Sequence, residues 1–145
     1  MSKVEDFLTK SEEQEVVNAI CKAEKTTSGE IRVHIEKTTT EPHFDRALAV
    51  FQLLEMHKTE KKIGVLIYVA VQDKKFVICG DKGINDVVAN DFWDSTKEIM
   101  QNHFKNNQFK QGIIEGILMA GEQLKHFFPY TDADSNELSN EISKG

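Results

Sequence analysis

Cysteine and proline are scarce in this chain of 145 residues, with two of each. Two cysteines, Cys21 and Cys79, cannot build a disulfide framework. One falls on an apolar helical stripe and the other at a strand end, so both read as small buried hydrophobes. No stretch approaches the roughly 18 consecutive apolar residues of a membrane-spanning helix, and the opening Met-Ser-Lys-Val-Glu-Asp lacks the apolar core of a secretion signal. The sequence as it stands predicts a cytoplasmic protein without membrane insertion, unless a signal has been removed. Basic charge is also short. Against 24 Asp and Glu stand 18 Lys and Arg, a formal net charge of −6, which argues against nucleic acid or an anionic membrane as partner and suits cations. The five histidines form neither a His-x3-His pair nor a His-Glu-x-x-His motif. A Walker loop, a Rossmann glycine fingerprint, a nucleophile elbow, a Cys-x5-Arg loop and an Asp-x-Asp-x-Thr/Val motif are all missing. A nucleotide enzyme is thereby disfavoured, and so is a covalent phosphatase.

What the chain does hold is a hairpin. Residues 64–71 are an almost wholly apolar run of strand formers, the pattern of a central strand covered on both faces. The polar residues 72–75 turn the chain, and residues 76–79 return as a second strand that leads into Gly80-Asp81-Lys82-Gly83. A loop of this kind leaving a buried sheet is a frequent place for a site.

Around the hairpin the periodicity predicts four helices and one more strand. Thr9 with Glu12 makes a capping box for a helix whose stripe is Val16, Val17, Ile20, Cys21 and Ala23, with Phe7 and Leu8 placed to staple its first turn. Residues 30–36 alternate, with Ile31, Val33 and Ile35 on one face and Arg32 and His34 on the other: a half-buried strand. A second helix carries Ala47, Leu48, Val50, Phe51, Leu54 and Met56. A third is capped by Asn90 or Asp91 and buries Phe92, Trp93, Ile99, Met100, His103 and Phe104. A fourth spans residues 109–126, and its Gly112, Gly116 and Gly121 fall about once per turn. Each glycine costs about 1 kcal/mol in a helix, so a close neighbour must compensate. The reading is α/β: a small central mixed sheet, made of a strand-helix-strand unit with a right-handed crossover plus the hairpin, sandwiched by about four helices. Residues 1–129 form the domain, expected as a monomer, and the polar, acidic residues 130–145 read as a disordered tail.

Three segments, residues 27–33 (Thr-Ser-Gly-Glu-Ile-Arg-Val), residues 64–71 with Asp73-Lys74-Lys75, and residues 80–84 (Gly-Asp-Lys-Gly-Ile), resemble the TPM domain in their order and spacing. That family takes its name from thylakoid-lumen, photosystem-repair and receptor-modulating proteins. Phe109, Gly112, Gly116 and Ala120 in the last helix fit its aromatic-Gly-Gly habit. The resemblance runs over about residues 7–128 and marks the chain as similar to a stand-alone, soluble bacterial member. It implies an α/β sandwich, an acidic pocket that holds a divalent cation, and the acid-phosphatase label carried by plant members. Many relatives are exported or anchored, whereas this sequence shows neither signal nor span.

The residues themselves point to the same loops. If the two strands beginning at Glu30 and Gly64 are parallel and the third returns antiparallel, its end at Asp81 comes back beside their beginnings. Glu30, Asp81, Asp86, Asp91 and Asp94 then supply hard oxygen ligands for Ca²⁺ or Mg²⁺. The same residues also fit plain structural duties, Asp91 and Asp94 as helix caps and Asp81 as a turn residue. Two functions follow. One is a divalent-cation-binding module that recognises a protein or peptide partner. The other is a metal-assisted phosphatase on the same loops, with Asp81 as candidate catalytic residue and Ser28, Arg32, His34 and Lys82 nearby.

Overall fold

The computed structural model describes residues 8–131 and 138–145. The chain runs α1 (Lys10–Glu24), β1 (Glu30–Glu36), α2 (His43–Leu53), a 3₁₀ turn at Met56–Lys58, β2 (Gly64–Ala70), β3 (Lys75–Gly80), α3 (Lys82–Asn85), α4 (Asp94–Lys105), α5 (Phe109–Leu124) and β4 (Ser143–Lys144). The four strands form one mixed sheet in the order β3-β2-β1-β4. β1 pairs in parallel with β2 and with β4, and the hairpin β2–β3 is antiparallel. The expected α/β architecture is present, with five helices among the described residues, of which α3 is a single turn.

Pleating divides the sheet between two layers, since successive side chains point to opposite faces. Ile31, Val33 and Ile35 of β1 and Val65, Ile67 and Val69 of β2 face α1, α4 and α5, forming the larger core with Ile20, Met100, Phe104, Ile113 and Ile117. Leu66, Tyr68 and Ala70 of β2 with Cys79 of β3 face α2, against Ala47, Val50, Phe51, Met56 and Leu138. β2 is therefore buried along its whole length, as an unbroken apolar run requires.

The sequence signals land closely on several elements. Thr9 and Glu12 close the capping box of α1, and Leu8 is buried, while Phe7 lies outside the described residues. The helix glycines mark close approaches. A Cβ at Gly112 would sit 2.6 Å from the Phe104 ring, one at Gly116 2.5 Å from the Met100 sulfur, and one at Gly121 2.8 Å from the Ala23 Cβ. These contacts hold α5 against α4 and α1. α4 begins later than its sequence suggests. Residues 90–93 are turns, and Trp93 stands at the N-cap position with no side-chain cap bond. Its ring and that of Phe92 are 4.6 Å apart edge to face, and packing against the core holds them there ahead of the first helical turn.

Two readings need correction. β1 is not half-exposed: His34 and Glu36 on its polar face are both buried, 5% and 4% exposed. The C-terminal residues 138–145 are not a disordered tail. Leu138 is buried beside Gly64, Ile142 packs on the larger core, and Ser143–Lys144 adds the fourth strand. Leu138 and Ile142, only two apolar residues in a polar segment, fill gaps that the rest of the domain leaves open. Residues 132–137 lie outside the described part.

Candidate functional site

The end of the sheet where β1 and β2 begin and β3 finishes brings Glu30, Gly64 and Asp81 into line. Glu30 is the register partner of Gly64, and the Asp81 N–H donates to the Gly64 carbonyl at 2.9 Å. With strands about 4.8 Å apart, the two acidic residues flank the glycine with backbones roughly 10 Å from each other. Asp81 then starts the next turn. Its Oδ1 accepts the Lys82 N–H at 2.7 Å, its carbonyl accepts from Ile84 and Asn85, and the Asn85 amide donates to the Gly80 carbonyl at 3.0 Å. Gly83 permits this turn to press on residues 61–62, since a Cβ there would lie 2.4 Å from the Lys62 carbonyl oxygen. The other carboxylate oxygen of Asp81, Oδ2, is buried and has no hydrogen-bond partner.

The remaining expected ligands are spread out. Glu30 Oε1 accepts the Leu138 N–H at 2.8 Å, so this carboxylate anchors the C-terminal segment. Asp86 is exposed, caps α3 and pairs with Lys82 at 3.4 Å. Asp91 is exposed in the turn before α4, and Asp94 opens that helix, where carboxylates complement the helix dipole. Among the described residues no three His, Cys, Asp or Glu side chains gather with the arrangement of a metal site. An acid that the sequence pattern does not single out stands close by. Glu24, at the end of α1, accepts the Ile31 N–H through Oε2 at 2.9 Å. Burial lifts its pKa to about 7, against the pull of that hydrogen bond, and the neighbouring Glu30 carboxylate adds to the rise.

A second polar cluster lies on the α2 face and is not signalled by any motif. Arg46 of α2 grips Glu36 through Nε and an Nη, at 3.1 and 3.0 Å, the Tyr68 hydroxyl donates to the same carboxylate, and His34 Nε2 lies 3.0 Å from it. Burial works to raise the Glu36 pKa, but the bonds from Arg46, Tyr68 and His34 outweigh it and hold the group ionised below the usual carboxylate range. Burial keeps His34 neutral against the pull of Glu36. With its Nε2–H given to Glu36, its Nδ1 accepts the Ser143 hydroxyl at 2.8 Å. The order Ser143–His34–Glu36 is that of a hydrolase relay. Here it is sealed, because a Cβ on Gly145 would stand 2.5 Å from Glu36 Oε1 and 2.9 Å from His34 Nε2. Its work is to dock β4, whose Gly145 N–H also donates to the Ile35 carbonyl at 3.0 Å. The one hint in sequence is Tyr68, the only hydroxyl in the apolar run of β2. A third cluster ties the hairpin turn down: Asp73 accepts from Thr38 at 2.7 Å and lies 2.9 Å from His43 Nε2.

Among the described residues no helix is long and apolar enough to cross a membrane. The TPM domain family model matches residues 1–123. No curated protein matches the chain. Solved structures do. The NMR structure of BA42 protein from the psychrophilic bacterium Bizionia argentinensis is 58% identical, with both chains covered in full and a TM-score of 0.93. The N-terminal domain of a P. gingivalis protein is 16% identical over 84% of this chain and 79% of its own, TM-score 0.69. The N-terminal domain of cg2496 protein from Corynebacterium glutamicum is 9% identical over 95% and 81%, TM-score 0.62. The last two share the fold alone; the family model, spanning most of the chain, places it in a family, and the protein belongs to the TPM domain family.

Proposed function

We propose that this TPM domain is a divalent-cation-binding module, with Asp81 as the primary ligand of a Ca²⁺ or Mg²⁺ ion and a protein or peptide as the partner that the loaded loop recognises. The observation that carries this reading is Asp81, a residue 9% exposed, with one carboxylate oxygen spent on the Lys82 N–H and the other buried without a partner. A buried carboxylate oxygen left unpaired is costly, and a hard cation satisfies it directly. Glu30, across Gly64, is the nearest of the other expected carboxylates by register. Asp86 takes part by releasing Lys82, while Asp91 and Asp94 serve the start of α4. One or two carboxylates with the rest of the shell made of water is how Mg²⁺ is commonly held.

Backbone amide NMR during Ca²⁺ and Mg²⁺ titration tests the reading. Saturable shifts over residues 81–86 and at Glu30, lost in Asp81→Asn, are expected, together with no hydrolysis of p-nitrophenyl phosphate. Metal-dependent hydrolysis that Asp81→Asn abolishes would replace the binding module with the phosphatase. Amides that stay still in millimolar cation would leave Asp81 as a turn residue and end the proposal.

A further inference from the structure

Away from Asp81, three more buried side-chain atoms among the described residues have no hydrogen-bond partner: Glu13 Oε1, which forms an ion pair with Lys144 at 2.7 Å, and Arg32 Nε and Thr59 Oγ1, which line one cavity. Thr59 as a whole is only 5% exposed. The cavity, about 230 Å³, lies where β1, the 3₁₀ turn after α2 and the returning C-terminal segment meet. Lys58, Glu55 and Ser139 also line it. Arg32 is the one residue of β1 that is not fully buried. Among the described lining residues two cations, Arg32 and Lys58, stand against one carboxylate, Glu55, in a chain of net charge −6. The Lys58–Glu55 pair, 3.2 Å apart, is 62% and 67% exposed, and a surface pair of that kind holds its lysine weakly. Ser139 Oγ already accepts the Glu141 N–H at 3.1 Å, which leaves its own hydrogen to donate.

We propose that this cavity binds a small tetrahedral oxyanion of the phosphate class, either inorganic phosphate or the phosphoryl group of a small phosphomonoester. The planar guanidinium of Arg32 supplies paired donors matched to phosphate oxygens, and Lys58 adds a point charge. The Thr59 and Ser139 hydroxyls complete a set of donors on several sides, which suits four oxygens better than the two of a carboxylate. Burial strengthens the bonds from Arg32 Nε and Thr59 Oγ1, and the anion satisfies these two atoms, which have no hydrogen-bond partner. Because Ser139 belongs to the segment leading into β4, the bound anion also clamps the C-terminal segment onto β1. This site is separate from Asp81 and does not depend on a cation there.

The test follows the full chain by NMR in EDTA at constant ionic strength, with inorganic phosphate, glycerol phosphate and acetate titrated in turn. Saturable shifts at the Arg32 Nε–H and at the Thr59 and Ser139 amides are expected with both phosphates, and weaker ones with acetate. Inorganic phosphate binding more tightly than glycerol phosphate identifies the free ion as the ligand, and the reverse identifies a phosphomonoester. Arg32→Gln should weaken binding by about tenfold or more, the usual scale for losing a charge-assisted contact. Thr59→Val, which keeps the shape, should weaken it less while leaving the remaining spectrum in place. Asp81→Asn should bind phosphate as the parent does, so loss of the cation site and loss of this one are told apart. No saturable shift in tens of millimolar phosphate, shifts scattered over surface lysines, acetate binding as tightly as phosphate, or an Arg32→Gln variant that binds unchanged would each overturn the proposal.

Discussion

Replacing Glu24 by glutamine should stabilise the protein at alkaline pH and leave it unchanged in acid. The folded-state pKa of this carboxyl is raised from 4.5 to about 7, chiefly by burial. A group raised on folding contributes its full stability below the unfolded value, and that contribution is lost as pH rises through the folded one. At about 1.36 kcal/mol per pH unit, the interval between 4.5 and 7 sets a ceiling of roughly 3 kcal/mol. Partial contact with solvent brings the expected cost of the ionised form to about 1–2 kcal/mol. Glutamine cannot ionise, and its amide oxygen can keep accepting the Ile31 N–H that Glu24 accepts now. Urea unfolding of both proteins from about pH 4 to about pH 8.5 should show a gap near zero at the acid end. At the other end it should open to about 1–2 kcal/mol in favour of the Glu24→Gln variant. His34 and Glu36 act in the opposite sense, since their folded pKa values are lowered and their contribution fades as pH falls, but they are common to both proteins and cancel. A gap that is constant with pH, or that opens in acid, would refute the assignment of Glu24 as a carboxyl that burial keeps protonated.

Other outcomes follow from the packing and the polar clusters. Gly83→Ala meets backbone carbonyls at 2.4 and 2.7 Å, which cannot move away cheaply, so it should cost about 2–4 kcal/mol. Gly116→Ala meets only the flexible Met100 side chain at 2.5 Å and gains helix propensity, so it should cost less than about 1 kcal/mol; equal costs in chemical denaturation would contradict this. Tyr68→Phe removes a donor to the Glu36 carboxylate and should destabilise by about 1–2 kcal/mol at neutral pH and by less once Glu36 is protonated, and a loss that grows in acid would speak against it. Deleting residues 138–145 removes the bonds from Ser143 to His34 and from Gly145 to Ile35, so amide exchange along residues 33–36 should accelerate in a domain that stays folded; unchanged exchange would show that β4 is not part of the sheet in solution.

What could be read from the sequence is what local pattern determines. The run through Gly64–Ala70 declares a doubly covered strand because no polar side chain but that of Tyr68 interrupts it, and Thr9 with Glu12 fixes the start of α1 within four residues. The helix glycines announce contact without naming the partner, which the structure shows to be Phe104, Met100 and Ala23. Non-local pairing stays hidden. His34 and Glu36 alternate with isoleucine and valine as solvent-facing residues do, and they are buried because Arg46, Tyr68 and Ser143 converge on them from three other elements. The C-terminal strand escapes for the same reason, its docking resting on Leu138, Ile142 and hydrogen bonds to β1. At the candidate site, topology correctly brings Glu30 and Asp81 to one end of the sheet. Spacing along the chain could not show that Asp86 would turn to Lys82, nor that Asp91 and Asp94 would stay at the start of α4.

The cation-binding claim is met most directly by thermal unfolding of the parent and of Asp81→Asn across a range of Ca²⁺ and Mg²⁺ concentrations. An ion that binds only the folded protein raises stability with the logarithm of its concentration, by about 2.7 kcal/mol at a hundredfold excess over Kd. The account predicts a rising Tm for the parent and a flat one for Asp81→Asn, whose folded state is otherwise intact. A flat response in both proteins, or an equal rise in both, would contradict it.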